Sequence, residues 1–496
     1  MLPVKPTGVE MAGITLSRNQ FRDKVRACWL GKNIGGTLGA PYETKKEVNS
    51  LEYFDPVPAE PAPNDDLDFQ LAWLALMEEK NRIPLLPELA DYWRTHLRAY
   101  PWNEYGFCMR NIERGLMPPV SGWFENYYVD EMGSPIRSEI WACVSPADPQ
   151  RAAALAWTDS ALDHAGGEGM WGEMFWAAME SAAFVLDEPL DLIRLGLSMI
   201  PPSCQIARVT REAVWCFENG RTWAQARERI VTTYGHHNPC NAVPNQGFII
   251  IGLLYGADFG DRLCKAVNCG YDTDCTGATL GSLLGILGGT ACIPEKWSGP
   301  VGERIVLHKF TRISGAPLSV GELTDRTVAM AEKLGAGRVA FGPAQVLPSE
   351  FRSALFRNEE ACAAAAQDVC SSVAAAGGAE IIFHYGGEPV FHPGEGRRVR
   401  VSLRREGRPV AGAVALKVPP EWKAVKEGPE SAGFEVTAGD FHESRILTVD
   451  AKIDGESHSA AFTVLAPEEA GGFPSSDNVE YCPRCQGRKG SCICGD

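Results

Sequence analysis

The stretch Asn268-Cys-Gly-Tyr-Asp-Thr-Asp-Cys-Thr-Gly-Ala-Thr-Leu-Gly281 joins an acidic turn to a run of small residues. Its acidic residues, Asp272 and Asp274, are two positions apart, and side chains at that spacing do not share one face of a helix. Both carboxylates can therefore serve one site only from an extended turn that leads into a helix. Small residues follow at helical spacing and predict that this helix packs closely against a neighbour. They are Gly277, Ala278, Gly281 and Gly285.

A second acidic stretch, Asn64-Asp65-Asp66-Leu67-Asp68, follows a proline-rich loop and has the features of another helix start. One acidic helix start is ordinarily explained by N-capping, because such side chains accept hydrogen bonds from the first turn. Two of them in this glycine-rich context favour a functional interpretation. Divalent cations such as Mg²⁺ prefer carboxylate oxygens, and four close carboxylates without a cation would repel one another and raise their pKa values. We therefore expect the two helix starts to meet.

Three short blocks occur in a characteristic order along the chain. They are Gly35-Gly36-Thr37-Leu38-Gly39-Ala40-Pro41-Tyr42-Glu43, Asn64-Asp65-Asp66 and Gly270-Tyr271-Asp272-Thr273-Asp274. In order and separation they resemble the signature blocks of the ADP-ribosylglycohydrolase family, of the dinitrogenase reductase-activating glycohydrolase type, with this chain as a divergent member. The resemblance covers about residues 20–290. It implies an all-helical domain with two Mg²⁺ or Mn²⁺ ions that hydrolyses a ribosyl C1 bond, typically releasing ADP-ribose from a modified side chain.

The resemblance also implies roles for individual residues. The metal ligands that it implies are Asn64, Asp65, Asp66, Asp272 and Asp274, with Cys275 or Thr276 completing the set. The catalytic residues that it implies are Asp65, Asp272 and Glu43, and Glu43 would position or deprotonate the attacking water. In this mechanism the cations bind the ribose diol, and water displaces the leaving group at C1.

Three positions differ from the family pattern. The first block of the family often reads Gly-Asp where this chain has Gly35-Gly36, and Asn64 stands where threonine is usual. The residue after the second aspartate is usually a metal-binding threonine, and here it is Cys275, followed by Thr276. Because a thiol is a softer ligand than a hydroxyl, three possibilities stay open: Thr276 substitutes, water fills the position, or one ion binds weakly.

Two further segments are candidates for substrate binding. The segment Gly133-Ser134-Pro135-Ile136-Arg137 lies where the family has a glycine-rich loop that cradles phosphate and ribose with backbone N–H groups, and it lacks the usual asparagine and second glycine. His164, followed by Gly166 and Gly167, resembles a histidine that the family presents toward its ligand, although a lone histidine is often a satisfied structural group. The aromatic stretch 92–130 fits a piece of core or a lid better than a platform for a base or a sugar.

Hydrophobic periodicity predicts a mainly α-helical domain over residues 15–340. The segment from Ser17 to Lys32 has the apolar period of an amphipathic helix, and we expect Gly35 and Gly36 to end it. Residues 341–378 become alanine-rich and are predicted to form a connector that is helical in part.

The period falls to two over residues 379–468. Val399, Val401 and Leu403 alternate with polar residues, and Asp454-Gly455 is a hairpin signal between two strand candidates. Several short strands of this kind predict a β-sandwich of the immunoglobulin-like type. We expect this domain to serve in packing, oligomer contact or partner binding.

The last segment, residues 469–496, is predicted to be a linker followed by a cysteine-rich tail. Its cysteines form the pairs Cys482/Cys485 and Cys492/Cys494. Four thiols can hold a structural Zn²⁺ in tetrahedral geometry, and the alternative is a tail of reduced cysteines without metal.

Composition limits the functional classes that the chain can belong to. The net charge of −16 argues against general binding of nucleic acid, whose phosphates would be repelled. The first 18 residues lack an apolar core of signal-peptide length, and no apolar run is long enough to span a bilayer. We therefore expect a cytoplasmic protein without a membrane partner, in which the 16 cysteines are mostly reduced.

The motifs leave three alternatives to ADP-ribosyl hydrolysis. The same scaffold could hydrolyse another N- or O-glycoside, which the weakened Gly133 loop favours. It could also bind ADP-ribose without turnover. The acidic pairs alone would further permit a binuclear phosphohydrolase.

Overall fold

The computed structural model describes residues 13–100, 103–335, 338–405 and 407–470, and these form a helical region followed by a β region. The α-helices are α1 (Arg18–Gly39), α2 (Asp65–Lys80), α3 (Leu86–His96), α4 (Asn103–Glu113), α5 (Val120–Trp123), α6 (Ser138–Val144), α7 (Pro149–Ser160), α8 (Glu168–Ala183), α9 (Pro189–Ser198), α10 (Gln205–Glu218), α11 (Trp223–Tyr234), α12 (Ala242–Tyr255), α13 (Phe259–Asn268), α14 (Thr273–Gly288), α15 (Glu295–Val301), α16 (Val320–Leu334), α17 (Phe351–Leu355) and α18 (Glu359–Ala365). The strands are β1 (Thr15–Ser17), β2 (Ala340–Gly342), β3 (Ser371–Ala376), β4 (Ala379–His384), β5 (Gly396–Arg405), β6 (Arg408–Pro409), β7 (Ala413–Lys417), β8 (Lys423–Lys426), β9 (Gly433–Thr437), β10 (Arg445–Ile453) and β11 (Glu456–Val464).

The helical region is organised around α1 and α14, which lie antiparallel with their backbones in contact. A Cβ atom added to Gly35 would lie 1.9 Å from the carbonyl oxygen of Gly277, and one added to Gly281 would lie 2.1 Å from that of Gly31. Only glycine permits this approach, so the prediction that the small residues of α14 pack closely against a neighbour is confirmed.

The same contact corrects the predicted end of α1. Gly35 and Gly36 were expected to break the helix, yet α1 continues without interruption to Gly39. Glycine is unfavourable in a helix interior by about 1 kcal/mol relative to alanine. The packing against α14 compensates this loss, because a larger side chain would push the two helices apart.

The loop after α1 is fastened to the turn before α14 by backbone hydrogen bonds. The N–H of Thr44 donates to the carbonyl of Tyr271 (2.8 Å), and the N–H of Tyr271 donates to the carbonyl of Lys45 (2.7 Å). Further along, Asn49 donates to Asn268 (2.9 Å). These bonds fix the loop that contains Glu43 beside the acidic turn.

The aromatic stretch 92–130 contributes mainly to the core. Trp93, Tyr105 and Phe124 are buried, whereas Tyr127 is 55% exposed. Near the two ends of the helical region, strand β1 pairs in parallel with strand β2.

The β region consists of two antiparallel sheets that share one core. Strand order is β3-β4-β5-β9-β8 in the larger sheet, with β6 beside β5, and β11-β10-β7 in the smaller. The rings of Phe383 and Phe462, one from each sheet, stack with centroids 5.2 Å apart. The expected alternation is confirmed, since Val399, Val401 and Leu403 of β5 are buried.

The predicted hairpin at Asp454-Gly455 is also confirmed. Strands β10 and β11 pair up to Ile453 and Glu456, and the two residues between them have positive φ angles of 51° and 88°. Positive φ at both central positions is the geometry of the two-residue turn that such a dipeptide favours.

The predicted boundary of this domain is wrong by one strand. The connector was expected to reach residue 378, but β3 already pairs with β4 from Ser371 onward. This first strand also joins the two regions, because the N–H of Val373 donates to the carbonyl of Pro118 (3.0 Å) and Leu116 and Val120 belong to the sandwich core. Its small residues, Ser-Ser-Val-Ala-Ala-Ala, concealed the strand in the alanine-rich sequence.

Two other predictions concern the ends and the environment of the chain. Cys482, Cys485, Cys492 and Cys494 lie outside the described residues, so the zinc site in the tail stays a prediction. Among the described residues, none of the helices has the length and apolar character that crossing a membrane requires.

Candidate functional site

The acidic turn before α14 is one half of the candidate site. Asp272 is the N-cap residue of α14 and lies in the turn that leads into the helix, as expected, whereas Asp274 is already the second residue of the helix and not part of an extended turn. Carboxylate oxygens of Asp272 and Asp274 and the Sγ atom of Cys275 lie within 4.8 Å of one another. The N–H of Asp272 donates to Oδ1 of Asn245 (3.2 Å), a buried side chain that fixes the turn from α12.

The start of α2 forms the other half. Asn64 caps this helix by accepting a hydrogen bond from the N–H of Asp66 (2.8 Å), and Asp65 and Asp66 are its first residues. The charges of the two helix starts act on each other: burial raises the pKa of Asp66 far above its usual range, with contributions from Asp274 and Asp65. The fold thus brings the two acidic helix starts together.

Glu43 lies at the open side of this cluster. The residue as a whole is exposed, but its carboxylate lies within 4.8 Å of Asp272 and of the Sγ atom of Cys240. The charge of Asp274 raises the pKa of Glu43 well above its usual range, and burial of the carboxyl group and the charges of Asp65 and Asp66 raise it further.

Several carboxylate oxygens of the cluster are buried without compensation. Both oxygens of Asp66 and Oδ1 of Asp272 and of Asp274 have no hydrogen-bond partner within the described part of the chain. Buried polar atoms are normally paired, and an unpaired carboxylate is especially unfavourable. The unpaired oxygens and the mutual repulsion of the carboxylates are both relieved by a divalent cation with oxygen ligands. The residues present therefore fit such ions.

A buried ion pair acts electrostatically on Asp66. The ammonium of Lys32 donates to Oε1 of Glu139 (2.7 Å), both side chains are fully buried, and Gln70 donates to the other oxygen of Glu139 (2.8 Å). The positive charge of Lys32 lowers the pKa of Asp66 against the effect of burial. The sequence analysis missed this network, because a lysine inside a helix carries no signal of its own.

Two of the departures from the family pattern lie in contact. A Cβ atom on Gly36 would lie 2.2 Å from Nδ2 of Asn64. An aspartate at position 36 would therefore collide with the asparagine that caps α2. The residue at position 36 and the side chain of Asn64 therefore compete for the same space.

The third departure concerns Cys275 and Thr276. The hydroxyl of Thr276 is buried and donates to the carbonyl of Thr273 (3.2 Å) within α14. Cys275, by contrast, has its sulfur beside Asp272 and Asp274. Which of these two side chains completes a ligand set stays a prediction.

The predicted phosphate loop is more buried than expected. The short 3₁₀ segment Pro135–Arg137 follows Gly133, and the side chains of Ser134 and Arg137 are fully buried. Arg137 donates to both oxygens of Asp163 (2.8 and 2.9 Å), and Ser134 donates to Glu173 (2.5 Å). These side chains are engaged in the core, so any contribution of this loop to ligand binding comes from its backbone.

His164 is fully buried as well, with Nδ1 3.1 Å from Oδ1 of Asp163. Backbone structure explains why glycines follow His164. Gly166 has a φ angle of +77°, and a Cβ atom on Gly167 would lie 2.2 Å from the carbonyl oxygen of Val129. A direct contact of His164, Gly166 or Gly167 with substrate stays a prediction.

One further residue at the site was missed in the sequence. Cys240 precedes Asn241, the N-cap of α12, and lies more than thirty positions before Asp272. Cys240 lies near Asp272 because the loops before α12 and α14 are adjacent in the fold. No local sequence motif indicates this proximity.

Comparisons with known proteins relate the chain to one family. The family model described as ADP-ribosylglycohydrolase matches residues 17–332. One solved structure, titled "ADP-ribosylglycohydrolase-related protein complex", shares 18% identity with a TM-score of 0.45, and the match covers 64% of this chain and 99% of that one. No curated protein matches the chain. The family match spans more than half of the chain and includes the three short sequence blocks, so the chain belongs to the ADP-ribosylglycohydrolase family.

Proposed function

We propose that the protein is a divalent-cation-dependent hydrolase that cleaves the C1–N or C1–O bond of an ADP-ribosyl group. Membership of a glycohydrolase family supports glycoside hydrolysis in general. The observation that carries the cation dependence is the group of buried, unpaired carboxylate oxygens of Asp66, Asp272 and Asp274 between the two helix starts.

In this proposal the ions, Mg²⁺ or Mn²⁺, are held by Asp65, Asp66, Asp272 and Asp274, with Asn64 and Cys275 at the edge of the set. When bound, they supply positive charge that polarises oxygen atoms of the substrate and lowers the pKa of water. The positive charge of the buried Lys32 favours the ionised form of Asp66, and the charge of its partner Glu139 opposes it more weakly.

Glu43 is the proposed general base. The oxygen of a water molecule forms the new bond to C1 while the bond from C1 to the leaving nitrogen or oxygen breaks. Bound cations would offset the negative charges that raise the pKa of Glu43, so that its carboxylate is ionised. One of its oxygens then accepts the proton of that water, and the proton passes to the leaving group. The hydrogen bonds that tie Thr44 and Lys45 to Tyr271 hold Glu43 at the acidic turn for this step.

The test is release of ADP-ribose from an ADP-ribosylated peptide in the presence of Mg²⁺ or Mn²⁺ and after chelation. We expect the double variant Asp65→Asn with Asp272→Asn to lose both cation binding and hydrolysis. A matched control is Asp91→Asn, because Asp91 is an exposed residue of α3 and its carboxylate pairs with Arg94 on the surface. Retained hydrolysis in the double variant would refute the proposed site.

A second candidate is hydrolysis of a smaller N- or O-glycoside without a diphosphate. The burial of Arg137 against Asp159 and Asp163 favours it, because the cation of the predicted phosphate loop is already neutralised. Competition between ADP-ribose and simple ribosides in the same assay separates the two substrates. Binding of ADP-ribose without turnover of any glycoside would instead indicate a binding protein.

A further inference from the structure

A carboxylate, an imidazole and a hydroxyl form a hydrogen-bonded series in the β region, away from the acidic helix starts. Nδ1 of His384, in β4, lies 2.8 Å from Oδ2 of Asp368, which precedes β3. Nε2 of the same ring lies 2.9 Å from Oγ of Ser402, in β5. The three residues are far apart in the sequence and form no local motif, so only the pairing of the strands brings them together.

Strand register places this series on the outer face of the larger sheet. Val401 and Leu403 belong to the sandwich core, so Ser402 between them points to the opposite face by the alternation of a strand. Strands β4 and β5 are antiparallel, and His384 lies diagonally across from Ser402 on that face. The side chains of His384 and Asp368 are 12% and 38% exposed. The imidazole is therefore held by its neighbours but can still be reached from solvent.

The two partners of the imidazole determine where its proton lies. The hydrogen bond from His384 holds the pKa of Asp368 below its usual range, and an ionised carboxylate can only accept hydrogen bonds. Nδ1 of the neutral ring therefore donates to Asp368, and Nε2 is left to accept the hydroxyl proton of Ser402. This is the tautomer in which an imidazole can act as the base that activates a serine hydroxyl.

Asp368 is fixed by hydrogen bonds that do not involve the imidazole. Its Oδ1 atom accepts from the N–H of Cys370 (2.9 Å), and its main-chain carbonyl accepts from the hydroxyl of Ser371 (2.6 Å). A carboxylate held in this way keeps the ring of His384 in one orientation, which is what a reacting group requires of its supporting residues.

Arg400 adds a positive charge on the same face. It is exposed, lies directly opposite His384 in the strand register and precedes Ser402 by two residues. Residues in such positions have Cβ atoms about 4.5–5.5 Å apart across the strands. A guanidinium there can stabilise the negative oxygen that forms when a serine hydroxyl attacks a carbonyl group.

We propose that Ser402, His384 and Asp368 form a second hydrolytic site, which cleaves carboxylic esters through an acyl-serine intermediate. A nucleophile, a base and an orienting carboxylate recur on unrelated folds, and the arrangement is recognised by these contacts rather than by sequence position. Ser402 and His384 are the catalytic residues, and Asp368 is a positioning residue. The inference goes beyond the proposed glycoside hydrolysis and uses none of its residues.

The reaction balances with water as the only co-reactant. Oγ of Ser402 bonds to the ester carbonyl carbon while its proton passes to Nε2 of His384. The bond from that carbon to the alcohol oxygen then breaks, and the imidazolium returns the proton to the departing alcohol. Water attacks the acyl-serine with the same ring as base, which releases the carboxylic acid and restores the hydroxyl.

The test treats the full chain, in the presence of a chelator, with a fluorophosphonate, a reagent that reacts with activated serine hydroxyls. We expect phosphonylation of Ser402, located by peptide mass spectrometry, together with hydrolysis of p-nitrophenyl acetate. Ser402→Ala should abolish both. Asp368→Asn should slow the labelling of Ser402 by about 10²–10⁴-fold, because its amide can donate to Nδ1 and leave the proton on Nε2, so that base catalysis is lost.

Ser459→Ala is the matched control. Ser459 is an exposed serine of β11 whose hydroxyl donates to the carboxylate of Asp450 (2.9 Å) and not to an imidazole. This variant should leave the labelling of Ser402 unchanged. A wild-type protein in which Ser402 is not labelled would overturn the inference, and so would an equal rate of labelling in Asp368→Asn.

The two hydrolytic sites can be tested separately. Asp272→Asn should label at Ser402 like the wild type, and Ser402→Ala should keep the cation-dependent release of ADP-ribose. Labelling of Ser402 without any glycoside hydrolysis would refute the proposed function alone. Glycoside hydrolysis by a protein whose Ser402 stays unlabelled would refute only this inference.

Discussion

The contact between α1 and α14 can be tested by replacing Gly35 with alanine. The added methyl carbon would lie 1.9 Å from the carbonyl oxygen and 2.3 Å from the carbonyl carbon of Gly277. Both are backbone atoms, which cannot turn away as the end of a side chain can. Since a comfortable contact is about 3.5 Å, the two helices must separate by roughly 1.5 Å at this point.

The magnitude follows from two opposing effects. Alanine is favoured over glycine in a helix interior by about 1 kcal/mol. Inserting a methyl group into a tightly packed core costs typically about 1–3 kcal/mol, and more where backbone must move. We therefore expect Gly35→Ala to lower the free energy of unfolding by about 2 kcal/mol. Cation affinity should fall as well, because the hydroxyl of Thr273 bonds to the carbonyl of Gly39 at the same end of the helix pair (2.8 Å).

The assay is urea denaturation followed by far-ultraviolet circular dichroism, together with titration of Mn²⁺. Gly106→Ala is the matched control, since Gly106 lies within α4, is exposed, and an added Cβ atom would meet nothing within 4 Å. That variant should be stabilised by up to about 1 kcal/mol. If Gly35→Ala were as stable as Gly106→Ala, the close approach of α1 and α14 would be refuted.

Three further predictions concern the surroundings of the site. Lys32→Met leaves Glu139 as a buried charge without its counter-ion and should lower the free energy of unfolding by about 3–5 kcal/mol. Adding Glu139→Gln to this variant should restore much of the lost stability. If the double variant were no more stable than Lys32→Met, the pairing would be contradicted. Gly36→Asp should be tolerated only together with Asn64→Thr, because the aspartate alone collides with Nδ2 of Asn64. A double-mutant cycle of unfolding free energies that shows no coupling between the two positions would contradict this. Burial lowers the pKa of Lys24 from 10.5 to about 8. Since the unfolded chain then binds more protons than the native state, the contribution of Lys24 to stability rises between about pH 8 and 10.5, and Lys24→Met should flatten that part of the profile.

The chemistry of the site was more accessible from the sequence than its supporting structure. The sequence placed Asp272 and Asp274 at the entrance of a helix, and the turn preference of Asp454-Gly455 assigned it to a hairpin. Local sequence determines both features, and the structure agrees with them.

Tertiary packing explains what the sequence did not predict. Gly35 and Gly36 read as helix breakers because local propensity opposes them, and only the partner helix reverses that preference. Cys240 and Lys32 join the site through loops and helices that are distant in the sequence, with no periodic signal. Arg137 resembled a ligand-binding residue by position, but three neighbouring carboxylates hold it in the core.

The most direct test of the account is calorimetric titration of ADP-ribose into cation-loaded and chelator-treated protein, in the wild type and in Asp272→Asn. The account predicts binding only to the loaded wild type, because the carboxylates around Asp272 repel a diphosphate until cations neutralise them. Equal binding with and without cations would contradict the claim that the two acidic helix starts form one cation-dependent glycohydrolase site.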